Sequence, residues 1–361
     1  MLKKLLKNGI FYFIKMTKQF KILIVHTGGI GDMIMFTPVI KILKNNFPEA
    51  KIDIFAGYTL ESAGVFEEGE IINRAFRFDF TKDNLFNKLI FIWQLRREKY
   101  GLIILPAGTN PLKGVIINFL IGAEKRIGGG KTGNKHRIDA GIDLLKNFGL
   151  RIDYPLPVPF LDFYKEKEFV DYFLAKNNLE NIATLKDKVL IGLHPGCDRY
   201  QKFKGFKRWP KEYFIELGRK ILYNIPSAFI ILLGGPDEKE SCLEIKNKLD
   251  KNKKIIIATG YSLKQETALI DKCAIFVGSD SGLTHAASTT KTALIAIFGP
   301  TNHLIVGPRG KNVHIIEEKC HSPYSILDRR FKRSDRGESC DCLKKITPDR
   351  VFNKIKEILY K

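Results

Sequence analysis

Two short stretches put chemically active side chains where a strand gives way to a helix. Thr27-Gly28-Gly29-Ile30-Gly31-Asp32 follows the apolar run Lys21–His26. Gly278-Ser279-Asp280-Ser281-Gly282 follows Ile275–Val277 and opens onto Leu283, Thr284 and His285. A helix starting at such a turn leaves backbone N–H groups unpaired and carries partial positive charge, so it attracts anions, and glycine lets them approach closely. The turn at 278–282 therefore reads as a phosphate cradle, with an ordinary strand-to-helix turn capped by Asp280 or Ser281 as the alternative. Asp32 stands at the carboxyl end of the first strand, where open α/β sheets present functional groups. It also fits simple decoration of a helix start. The glycine spacing around it matches neither a dinucleotide fingerprint nor a P-loop.

Other loops add to the second stretch. Val189–Leu193 runs into His194-Pro195-Gly196, and Lys207-Arg208-Trp209-Pro210 precedes a helix. Between Gly196 and Lys211 six basic residues face one acid, Asp198. A further strand ends in Gly234-Gly235-Pro236-Asp237-Glu238, which sets a carboxylate where nucleotide sites often meet ribose hydroxyls. Lys207, Glu238, Asp280, His285 and glycine backbone together make the inventory for a nucleotide diphosphate. In the other half, Lys125–Arg137 places five basic residues, Arg126 and Lys131 among them, in a glycine-rich loop without an acid. It is either a grip for an anionic acceptor or a solvated basic loop.

The elements that must carry these loops alternate. Strands are expected at Lys21–His26, Lys51–Ala56, Ala75–Phe78 and Leu102–Leu105, with helices near Met33–Asn46, Thr59–Phe66, Asn84–Arg97 and Pro111–Leu120. The proline-rich Arg151–Phe160 suits an extended segment between domains, and a boundary falls near 155–185. Alternation restarts at Val189 and continues through Ala228–Leu233, Lys254–Ala258 and Ile275–Val277. Such a pattern predicts two doubly wound α/β domains with parallel sheets.

The chain has 361 residues, enough for two cores, and 44% hydrophobic with 27% charged residues is an ordinary globular composition. Sixty Lys and Arg against 39 Asp and Glu give a formal charge of +21. That favours anionic partners: nucleic acid, anionic lipid or phosphorylated small molecules. Residues 1–18 hold five lysines and no acid, with the apolar run Ile10–Ile14 too short to span a bilayer. As a helix the segment is basic and amphipathic, suited to an anionic membrane surface; otherwise it is a tail. The six cysteines are scattered and read as reduced, in a cytoplasmic protein. Cys320-His321 and Cys340-Asp341-Cys342 do not have the spacing of a usual zinc knuckle, and no metal is expected.

Read together, "GGIGDMIMFTPVIKILKNNFP", "HPG…KRWP", "GGPDE" and "GSDSGLTHAAS" with "IFGPT" resemble, in order, the motifs of glycosyltransferase family 9, the heptosyltransferases of lipopolysaccharide core synthesis. The likeness runs from Lys21 to Lys361. It implies a GT-B fold, two Rossmann-like doubly wound domains facing a central cleft. The implied division is residues 19–160 for an acceptor-side domain, 161–185 for a linker and 186–346 for a nucleotide-sugar domain. A helix over 347–361 would pack back on the N-terminal domain, with Thr347 as cap and Pro348 at its first position.

The resemblance also implies roles. Asp32 is the general base toward an acceptor hydroxyl, with inversion at the anomeric carbon. Lys207 and the Ser281-Gly282-Leu283 backbone hold the leaving diphosphate, His285 is a further donor, and Asp280 orients the loop. His194, Gly196, Gly235 and Glu238 line the nucleotide, Glu238 at the ribose, and Tyr261 and Ser262 border the base. Gly29, Arg126 and Lys131 belong to the acceptor side. No cofactor is implied beyond the co-substrate, expected to be ADP-heptose. The expected partners are that donor, a phosphorylated glycolipid acceptor and an anionic membrane surface, for a monomer peripheral at the inner face of the cell membrane. A nucleotide-sugar epimerase and a nucleic-acid-binding protein are the competing readings. The second rests on charge alone and carries no recognised motif.

Overall fold

The computed structural model describes residues 20–26, 28–56, 64–66, 71–78, 83–129, 133–180, 188–197, 206–249, 254–319 and 341–360. The chain divides into two units, Met1–Phe160 and Leu161–Lys361.

In the first unit the apolar runs form β1 (Lys21–His26), β2 (Lys51–Ala56), β3 (Arg74–Arg77), β4 (Leu102–Ile104) and β5 (Lys125–Ile127). Between them lie α1 (Ile30–Asn46), α2 (Leu85–Arg97), α3 (Pro111–Ile121) and α4 (Arg137–Phe148). The sheet order is β3-β2-β1-β4-β5 and every pairing is parallel. α1 and α4 pack together, as do α2 and α3. Strand order reverses between β1 and β4, which opens a crevice beyond their carboxyl ends. At the opposite edge, fully buried Asp53 accepts from Asn73 Nδ2 (2.7 Å), Arg74 Nη2 (2.7 Å) and Tyr100 Oη (2.8 Å). A buried carboxylate is tolerable there because three donors satisfy it.

The second unit begins with a 3₁₀ turn at Tyr164–Glu166 and α5 (Lys167–Lys176). Its strands are β6 (Val189–His194), β7 (Ala228–Gly234), β8 (Ile255–Thr259), β9 (Ile275–Ser279), β10 (Ala293–Phe298) and β11 (Val313–Glu317). They pair in parallel in the order β11-β10-β9-β6-β7-β8, so the reversal falls between β6 and β9. The helices are α6 (Lys211–Asn224), α7 (Lys239–Leu249), α8 (Leu263–Ile270), α9 (Gly282–Ala287), α10 (His303–Val306), α11 (Asp341–Lys344) and α12 (Pro348–Leu359).

Two expectations change. Leu161–Lys176 is not a free linker: the 3₁₀ turn and α5 pack on α8 of the second unit, burying Val170, Phe173 and Leu174. Within the second unit, Val351, Phe352 and Ile355 of α12 enter the core beside α6 and β10. Its strongly one-sided apolar face finds that surface within its own unit, and Lys220 pairs with Asp349 at 2.7 Å beside it. The basic stretch after Ala123 starts as a strand, because backbone pairing of β5 to β4 needs only one apolar residue, Ile127. Residues 1–18, 181–185, 320–340 and most of the helical pattern at 59–66 lie outside the described residues.

Candidate functional site

The first-unit crevice is lined by His26, Asp32, Met35, Phe36, Pro106, Ala107, Arg137 and Gly141. β1 ends at His26, and α1 starts with Gly29 as N-cap and Asp32 in its first turn. The Gly29 N–H donates to Asp32 Oδ2 at 3.3 Å, while Arg137 Nη1 donates to Oδ1 at 3.0 Å. Position and dipole favour a negative charge there, and the guanidinium adds a charge-assisted bond. His26 is buried, and its Nδ1 accepts from the Gly28 N–H at 3.2 Å, so the ring proton sits on Nε2. Burial lowers its pKa to about 4 against a raising effect from Asp32; Arg137 lowers it further. The imidazole beside Asp32 is therefore neutral near pH 7. A Cβ on Gly29 would meet nothing within 4 Å, so the backbone at this cap faces open space.

Of the other acceptor-side residues, Arg126 lies on β5 with its guanidinium turned toward α3. A Cβ on Gly114 would lie 2.3 Å from Arg126 Nη1, so glycine admits the side chain there. That Nη1 is buried with no hydrogen-bond partner among the described residues. Lys131 lies outside the described residues.

In the second unit the chemistry gathers at the β6/β9 reversal. Ser281 caps α9, its Oγ accepting from the Thr284 N–H at 3.2 Å and lying 3.2 Å from His194 Nδ1 at the end of β6. Gly282 and Leu283 form the first turn of α9 behind that cap. His194 Nε2 faces Glu238 Oε2 at 3.5 Å, and the Gly235 N–H donates to the same oxygen at 2.5 Å. Burial opposes ionisation of Glu238, yet His194 and this N–H outweigh it and hold the carboxyl below its usual range. Glu238 comes so close to Gly196 that a Cβ there would lie 1.7 Å from Oε1. Glycine is needed by the approach, not by its own dihedrals.

Asp280 is buried between Lys207 and His285. Lys207 Nζ donates to its Oδ2 at 3.1 Å, and His285 Nε2 lies 3.8 Å from Oδ1. Burial pushes the Asp280 pKa up, but Lys207 and His285 dominate and hold it well below the carboxylate range. His285 Nδ1 is buried without a hydrogen-bond partner among the described residues. Lys207 is positioned by its neighbour Trp209, which is fully buried. The Trp209 N–H donates to Ser279 Oγ (3.0 Å) and its indole N–H to the Ile346 carbonyl (2.8 Å). The tryptophan of "KRWP" is thus a latch that ties the lysine to β9.

Gly196, Gly235, Glu238, His194 and Ser281 therefore form one chain of contacts, and Lys207, Asp280 and His285 a second cluster joined to it where Asp280 precedes Ser281 in the chain. Tyr261 and Ser262 stand apart at the start of α8. Ser262 caps that helix reciprocally with Gln265, and Tyr261 packs edge-on to Phe169 (4.8 Å) and Phe173 (5.8 Å) of α5. Sequence reasoning missed Arg137 as the partner of Asp32 and missed the neutral His26. Both were visible as types, but only the fold of α4 onto α1 brings Arg137 across. Cys242 and Cys273 are buried, and burial pushes the Cys242 thiol up to about 12.

The sequence model of "Glycosyltransferase family 9 (heptosyltransferase)" matches residues 91–329. A lipooligosaccharide heptosyltransferase 2 of Haemophilus ducreyi is 26% identical, over 94% of this chain and 99% of its own. Among solved structures, an Escherichia coli ADP-heptose LPS heptosyltransferase II superposes with a TM-score of 0.72 at 21% identity, covering 94% and 98% of the two chains. A glycosyl transferase family 9 structure from Veillonella parvula gives 0.73 at 19% identity, covering 94% and 97%. The two parallel-sheet units are those of the GT-B class.

Proposed function

The chain belongs to glycosyltransferase family 9 and is a glycosyltransferase; on that premise we propose that it transfers a heptose from ADP-heptose to a lipopolysaccharide core or related phosphorylated glycolipid. The observation that carries the donor half is the contact chain running from Glu238 through His194 and Ser281 to α9, beside the Lys207–Asp280–His285 cluster. A cation, a capped helix start and a ribose-competent carboxylate together suit a nucleoside diphosphate.

Asp32 takes the proton of the acceptor hydroxyl as its oxygen bonds to the anomeric carbon, and the bond from that carbon to the diphosphate breaks with inversion. The electron pair leaves on the diphosphate, where Lys207 and the Ser281-Gly282-Leu283 backbone offset the charge without need of a metal. His285 offers a further donor. Glu238 accepts from the ribose, Tyr261 and Ser262 border the base, and Gly29, Arg126 and Lys131 meet the acceptor. The enzyme acts as a monomer at the inner face of the membrane, where the net charge suits phosphorylated lipid. Among the described residues no helix is long and apolar enough to cross a membrane.

The epimerase reading gains no support: among the described lining residues of the crevice Asp32 is the one carboxylate, and the relatives are heptosyltransferases. Thermal stabilisation by ADP-heptose and ADP, tested against UDP and GDP, checks the donor. Stabilisation by UDP or GDP alone would overturn ADP-heptose.

A further inference from the structure

We propose that the outward faces of α2 and α3 form a docking surface for an anionic lipid bilayer. α2 buries Phe91 and Leu95 against the first-unit core and leaves Leu85 72%, Phe86 70% and Trp93 56% exposed. α3 leaves Leu112 68% and Phe119 76% exposed. Spacing of four residues puts Leu85, Leu89 and Trp93 on one side of α2, and a similar spacing aligns Leu112, Ile116 and Phe119 on α3. Arg96 of α2 donates from Nη1 to the Phe119 and Leu120 carbonyls at 2.9 and 3.1 Å, which fastens the two helices side by side. The result is an apolar surface spread over two helices, of a kind that water-exposed proteins rarely leave uncovered without a partner.

Charge selects the occupant. Neither helix contains an acidic residue, whereas Lys88, Arg96, Arg97 and Lys113 are cationic. Asp83 and Glu98 flank α2, but Glu98 is already paired with Lys21 (2.7 Å) and Arg74 (2.9 Å). Arg97 lies over the Trp93 ring at 4.7 Å, an aromatic and cation pair suited to the headgroup boundary. A second copy of this face would bring like charges together, and so would residues 1–18 with their five lysines and no acid. An anionic bilayer satisfies both the apolar side chains and the cations around them. The inference goes beyond the donor and acceptor chemistry and rests on it only for the lipid nature of the acceptor.

The two tryptophans allow a direct test on the full chain. Trp209 is fully buried, so a lipid-borne quencher reads Trp93. Brominated lipid in phosphatidylglycerol-containing vesicles should quench Trp93, and pure phosphatidylcholine vesicles should do so far less. The Phe86→Ser, Phe119→Ser double variant should lower vesicle affinity at least about tenfold through the lost apolar insertion. Its transfer to a truncated water-soluble acceptor should be unchanged, so failure here is distinguishable from failure of the proposed reaction. Absence of Trp93 quenching, vesicle affinity unaltered in the double variant, equal binding to neutral vesicles, or a concentration-dependent dimer that the double variant dissolves would each overturn the proposal.

Discussion

Arg137, the first residue of α4, donates from Nη1 to Asp32 Oδ1 at 3.0 Å across 105 positions of sequence. With the Gly29 N–H on Oδ2, each carboxylate oxygen has one donor from the chain and keeps lone pairs for a substrate proton. The carboxylate is thus fixed at the crevice without being consumed by the protein.

Asp32→Asn should slow transfer by about 10²–10⁴, the usual contribution of a positioned general base, while ADP affinity stays unchanged. Arg137→Met should slow it less, and in the double variant the two losses should fall short of additive by about 1–2 kcal/mol, because both act on one carboxylate. Steady-state rates of the four proteins check this; near-normal turnover in Asp32→Asn removes Asp32 from the mechanism.

Lys207→Ala should weaken ADP binding while leaving adenosine binding nearly intact. It should also destabilise the second unit by about 3–5 kcal/mol, since Asp280 would be a buried carboxylate without its main partner. Lys207→Met combined with Asp280→Asn should recover most of that stability but not ADP affinity. Calorimetric titration beside denaturant melts separates the roles, and recovered ADP affinity in the pair would deny Lys207 its phosphate.

His26 gives the first unit a titration of predictable sign. Its folded pKa, about 4, lies below the ordinary 6.5, so between those values the unfolded chain binds a proton that the folded chain does not. Stability should therefore fall as pH drops from 6.5 toward 4, by at most about 3 kcal/mol. His26→Asn, which keeps an acceptor for the Gly28 N–H, should lose this component of the pH dependence. A wild-type melting curve flat over that interval would contradict the buried, neutral imidazole.

The strands and the turns at Asp32 and Asp280 were legible because each is a local pattern: an apolar run, a glycine break, a periodic helix. The contact from Glu238 to Gly196 and His194 was legible only as an inventory of loops, since its geometry depends on β6 and β7 lying side by side. Arg137 was hidden inside a charge run, where nothing local separates an ion-paired residue from a solvated one. The surface that α12 covers in the second unit was not legible for a related reason. Periodicity shows that a face is apolar, as with Val351, Phe352 and Ile355, but not which surface covers it. The exposed faces of α2 and α3 carry the same ambiguity in reverse, because an apolar helix reads as core until its burial is known.

Heptosyl transfer itself is measured by incubating the purified chain with ADP-heptose and a heptose-deficient lipopolysaccharide core acceptor, then following the products by mass spectrometry and the new linkage by NMR. One heptosyl group should be added per ADP released, with inverted anomeric configuration, and Asp32→Asn should suppress both products together. Release of an isomerised nucleotide sugar without acceptor, or transfer from a UDP- or GDP-sugar and none from ADP-heptose, would contradict it.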